Sequence, residues 1–156
     1  MNISLDLMTL EHYGANQDSE LEARRVASRI FSRFYTKGQL LRLWSKLIGR
    51  TNRLRPANAL NGTKSRQAKQ GVVTVQLNQI VGSEGRCDDF DGRFYPLHAQ
   101  VEDRWVGIYV ARRQDVVLPV VELIQDGTAY YVRDGHHRIS VARALGQQEI
   151  EARIVN

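Results

Sequence analysis

At 156 residues with 42% hydrophobic and 25% charged residues, the chain has the composition of one globular unit, which excludes wholesale disorder. Its longest apolar runs, such as 116–121, fall far short of the ~20 residues of a membrane span, and the N-terminus lacks a basic region ahead of an apolar stretch. The lone Cys87 allows no internal disulfide and fits a reducing cytoplasm, and the net charge of +5 is very unevenly placed.

Between Ala23 and Ser83 there are thirteen Lys and Arg and no acid, whereas from Glu84 onward nine basic residues face twelve acidic ones. That border suggests a basic helical segment with linker over 1–70 and a second region over 71–156. Within the first, Ser19 and Glu22 have capping-box spacing, so a helix is expected from near Glu20, with Ala23, Val26, Ala27, Ile30 and Phe34 on its apolar face. Gly38 should interrupt it. A second amphipathic helix through Leu40, Leu43, Trp44, Leu47 and Ile48 should stop at Gly49. The polar stretch 50–71 reads as a mobile linker or loop.

Arg25, Arg29, Arg33 and Lys37 recur every four residues, as do Arg42, Lys46 and Arg50, so each set forms a stripe. Like charges at that spacing cost a helix about 0.2–0.5 kcal/mol per pair, and nucleic acid phosphate is the favoured explanation. A membrane-surface helix built around Trp44 and a face merely buried on the rest of the chain, or on another subunit, remain open.

The second region reads as mixed α/β. Residues 71–80 are rich in β-branched side chains and suggest a strand that turns at Gly82. Leu97, Val101, Trp105 and Ile108 have helical spacing. Residues 119–124 and 128–132 form a hairpin about Asp126-Gly127, and 150–155 should be a last strand. Between them lies Asp134-Gly135-His136-His137-Arg138, opening a helix whose Ile139, Ala142 and Leu145 face inward and whose end is marked by Gly146. A helix start offers unpartnered N–H groups and a positive dipole end, where anions dock. Gly135 permits close backbone approach, Arg138 supplies a planar fork for phosphate oxygens, and the histidines add donors. Asp134 is the odd member: it is an N-cap, or else it holds Mg²⁺ or accepts a proton. Adjacent His136 and His137 diverge by ~100° and make a poor zinc pair. The acidic cluster Glu84, Asp88, Asp89 and Asp91 with Arg86 is either a solvated loop or the opposite wall of the site. Aspartates 88, 89 and 134 are the candidate metal ligands. The DDFDG run fails as a calcium loop: counting from Asp89, position 5 is Arg93 and position 12 is Gln100 rather than the bidentate Glu.

From VQLNQIVGSEGR through DDFDGRF, VVLPVVEL and the hairpin to DGHHRISVARALG and IEARIV, residues 71–156 resemble the N-terminal domain of ParB-type partitioning proteins and the sulfiredoxin-like superfamily. The resemblance implies an α/β (α+β) domain with a small mixed sheet, and a nucleotide (ATP, ADP or CTP, with Mg²⁺) held by its phosphates at Gly135, His136, His137 and Arg138 with help from Arg86. The Asp-Gly-His-x-Arg filling is similar to that of ParB-like free-serine kinases, which implies catalytic roles for Asp134 and Glu84. His136 stands where sulfiredoxins carry cysteine, which excludes sulfinic acid repair. The helix-turn-helix of full ParB proteins has no counterpart here, which argues against a CTP-dependent DNA clamp. The resulting expectation is a phosphate- or nucleotide-binding protein associated with DNA through Arg25, Arg29, Arg33, Arg42, Lys46 and Arg50. A small phosphotransferase or nuclease is the alternative, and a homo-oligomer is left open.

Overall fold

The computed structural model describes residues 3–57 and 71–155, with side chains from Ser19 onward. Three helices, α1 (Ile3–Leu47), α2 (Glu102–Arg113) and α3 (His136–Ala144), accompany a six-stranded mixed sheet of β1 (Arg55–Pro56), β2 (Val72–Gln76), β3 (Ile80–Ser83), β4 (Val121–Asp126), β5 (Ala129–Asp134) and β6 (Glu149–Ile154). The α/β class expected from the sequence is the one that forms. Strand order is β1-β3-β5-β4-β6-β2. β1, β3 and β5 run parallel to one another, β4 is antiparallel to β5 and parallel to β6, and β2 closes the far edge antiparallel to β6.

The local reasons are legible. β6 alternates exposed and buried, with Ile150, Ala152 and Ile154 inward, as a strand covered on one face must. The Asp126-Gly127 turn has Gly127 at φ +58, and β4 and β5 pair from Asp126↔Ala129 to Glu122↔Asp134. α3 ends in a Schellman arrangement: the amide of Gly146, at φ +73, donates to Arg143 and that of Gln147 to Ala142. α3 lies over the sheet through Ile139 and Ala142, against Leu123, Val132 and Phe90. α2 crosses to α3 and to α1 through Trp105, whose Nε1 donates to Ser140 Oγ at 2.9 Å inside the core.

Four expectations about the chain are corrected. α1 is one 45-residue helix, not two, and Ser19 and Glu22 lie within it rather than at its start. Gly38 does not break it. A Cβ there would stand 2.7 Å from the Pro96 carbonyl oxygen, so the glycine serves a close helix-to-loop contact, beside which Gln39 Nε2 donates to Leu97 O at 2.7 Å. The stretch after α1 is not all linker. Leu54 is buried in the sheet's core and β1 extends the sheet, so the basic segment is built into the domain; residues 58–70 of that expected linker lie outside the described residues. Finally, Gly82 is a strand residue rather than a turn, sitting where a Cβ would collide with Arg55 O and the Tyr131 ring.

Candidate functional site: the start of α3

Parallel neighbours β3 and β5 end side by side at Ser83 and Asp134, and α3 begins directly after β5. Their carboxyl ends and the first turn of α3 therefore face a common cleft, the usual position of a ligand in an α/β sheet. Gly135 makes the corner at φ +105, ψ 19, in the left-handed region. A Cβ at this position would lie 2.5 Å from Val121 Cγ1 and 3.3 Å from Arg138 Nε, so both conformation and space require glycine. No side chain caps α3, leaving the amides of its first turn aimed at the cleft.

The two histidines differ. His136 turns inward, with its Nε2 2.7 Å from Ser83 Oγ and its ring stacked on Phe90. Ser83 Oγ already accepts from the amides of Gly85 (3.2 Å) and Arg86 (2.9 Å), so its hydroxyl proton points at Nε2. His136 thus carries its proton on Nδ1 and is neutral. Burial, then the nearby Arg86 and His137, push it down from 6.5 to about 4. Its ring ties the loop after β3 to α3. His137 packs edge-on against Phe90 but borders the cleft, and burial followed by Arg104 and Arg86 lowers it to about 4 as well.

Four guanidinium groups surround the opening, a cleft of about 50 Å³: Arg86, Arg104, Arg133 and Arg138. The Arg138 side chain is only 13% exposed. It donates to the Pro119 carbonyl and, at 3.0 Å, to that of Val120, and it pairs with Asp134. Its fork, expected to take phosphate oxygens, is here engaged by the chain itself: it buttresses the segment entering β4 and offsets the Asp134 charge. That pairing weakens, without abolishing, the repulsion the carboxylate would exert on a bound anion.

The expected acidic wall does not assemble. Glu84 accepts from Arg133 through Nε (2.7 Å) and Nη2 (3.3 Å). Asp89 pairs with Arg86 at 3.3 Å and Asp88 with Arg53 at 3.6 Å. Among the described residues no group of three or more His, Cys, Asp or Glu is arranged to hold a metal ion, so aspartates 88, 89 and 134 are not brought together as ligands. Asp91 is buried and structural, accepting from the amides of Arg93 and Tyr95 and from Asn52. The Cys87 thiol is pushed up by burial and then by Asp88, away from nucleophilic use.

Sequence reading missed Ser83, Arg104 and Arg133. Arg133 directly precedes the motif and Ser83 directly precedes Glu84, so both were within reach. Arg104 comes from α2 and only the tertiary fold delivers it. It pairs with no carboxylate among the described residues.

The basic stripes divide. Arg42, Lys46 and Arg50 line a second cleft of about 330 Å³ together with Arg53 and His98, while Arg25, Arg29 and Arg33 lie exposed on another face of α1. No helix among the described residues is long and apolar enough to cross a membrane.

No family model matches the chain, and no curated protein does. Among solved structures, a sulfiredoxin from Arabidopsis thaliana is similar to 55% of this chain and 85% of its own, at 20% identity and a TM-score of 0.42, a likeness too slight to carry an argument.

Proposed function

We propose that this protein is a ParB/sulfiredoxin-like binding module that takes a phosphate group of a nucleotide or related ligand at the start of α3. One observation carries the reading: an uncapped helix N-terminus opens into a cleft walled by arginines, one of which, Arg104, has no carboxylate partner among the described residues. First-turn amides and Arg104 hold the oxyanion, with Arg86 and the neutral His137 at its margin. Binding is favoured over phosphotransfer or phosphodiester cleavage because Asp134 and Glu84 are each engaged by a guanidinium. In a thermal-shift titration, inorganic phosphate, pyrophosphate, ATP and CTP should raise the melting temperature, and Arg104→Ala should reduce the rise. Indifference to all four would refute the reading.

Nucleic acid is the second ligand proposed, at the cleft that gathers Arg42, Lys46, Arg50 and Arg53. Engaging about four phosphates gives a log–log salt slope near −3.6 for duplex DNA. A flat salt dependence would remove this role.

A further inference from the structure

Among the described residues, α1 leaves one long face largely uncovered, although Lys37 reaches over the Tyr95 ring. Ala27 and Phe31 bury themselves against Trp105 and Tyr109 of α2. On the other side Arg25, Arg29, Arg33 and Lys37 stand exposed, followed by Leu40 (61% exposed), Leu43 (59%), Trp44 (63%) and Leu47 (80%). Four large apolar side chains at i, i+3, i+4 and i+7, all more than half exposed, form the kind of patch that marks an interaction surface.

The helix's own charge distribution identifies what covers it. Before Ala23, α1 carries Asp6, Glu11, Asp18, Glu20 and Glu22 and no Lys or Arg; from Ala23 to Leu47 it carries seven Lys and Arg and no acid. An anionic lipid surface or a nucleic acid matches the second half and is repelled by the first. A parallel copy sets like charge on like. Residues 58–70 contain three cations and no acid, so charge gives them no attraction for the basic face. An antiparallel copy matches both halves at once. With the two-fold axis beside Arg25, position 29 stands opposite position 22 (Arg to Glu), 33 opposite 18 (Arg to Asp) and 43–44 opposite 7–8 (Leu-Trp to Leu-Met), while Leu40 and Leu47 stand opposite positions 11 and 4 (Glu and Ser). Each pairing occurs twice, because a two-fold interface repeats every contact.

We propose that α1 is the interface of an antiparallel, two-fold homodimer in which the acidic half of each helix lies along the basic half of its partner. The face that sequence reading assigned to nucleic acid through Arg25, Arg29 and Arg33 is then a self-association surface, independent of the α3 site and of the Arg42–Lys46–Arg50 cleft.

Sedimentation equilibrium of the full chain at micromolar concentration tests it, with far-UV circular dichroism confirming that each variant is folded. The wild type should be a dimer. Arg33→Asp should weaken it about tenfold, since the change introduces like charges at two symmetric places, and Asp18→Arg should do the same. The combined swap should recover most of the lost affinity. A monomeric wild type, a dimer indifferent to Arg33→Asp, or a swap that fails to rescue two folded single variants would each overturn the proposal. So would loss of duplex DNA binding in Arg33→Asp with self-association unchanged, which would return the stripe to nucleic acid.

Discussion

Lowering the pH from 7 to 5 should destabilise this protein through its two motif histidines. His136 is buried, accepts the Ser83 proton and lies near 4 in the fold, against 6.5 in the unfolded chain. The unfolded chain therefore binds the proton first. Stability is complete above about pH 6.5 and is lost progressively as pH falls toward 4. Over the roughly 1.5 units between 6.5 and 5, at about 1.4 kcal/mol per unit, His136 alone removes about 2 kcal/mol. His137 adds less, since it borders the cleft and water can solvate its charge. Urea unfolding at pH 7 and pH 5 measures the difference, and His136→Gln with His137→Gln isolates it, because glutamine does not titrate. The double variant should lose most of the pH dependence in this window, before the carboxylates contribute. Equal pH dependence in wild type and variant would refute the assignment of a neutral, inward-bound His136.

Three substitutions test the corner from other sides. Gly135→Ala forces a non-glycine residue to φ +105 and a Cβ against Val121, and should cost at least about 2 kcal/mol in chemical denaturation. Arg138→Ala strips donors from the Pro119 and Val120 carbonyls and should lower stability by about 2 kcal/mol, with Arg138→Lys recovering little because an ammonium cannot span both carbonyls and Asp134. Asp134→Asn removes a negative charge that lines the cleft and should tighten phosphate binding by about twofold to fivefold in calorimetry; weaker binding would mean that the carboxylate itself takes part in holding the ligand.

What the sequence made visible were the features written in local chemistry. Asp126-Gly127 announces its hairpin, Gly146 ends α3, and alternation at Ile150, Ala152 and Ile154 marks β6. Gly38 misled because a glycine that ends a helix and one that admits a neighbouring backbone look alike until Pro96 is placed beside it. The motif itself was located correctly as a helix entrance behind a glycine corner, but its division of labour was not legible. Whether Arg138 grips a ligand or the chain depends on where the Pro119 and Val120 carbonyls lie, nineteen and eighteen residues away. Whether His136 faces in or out depends on Ser83, on another strand. Likewise, Arg104 belongs to the site only because Trp105 anchors α2 across α3.

The most direct test of the central claim follows the backbone amides of His136, His137 and Arg138 by ¹⁵N-resolved NMR while inorganic phosphate, and then ATP, is added. The account predicts that these three resonances shift saturably and together, with those of the β2–β6 edge unmoved, and that Arg104→Ala weakens the response. Silent amides at the start of α3, with shifts confined to other surfaces, would contradict it.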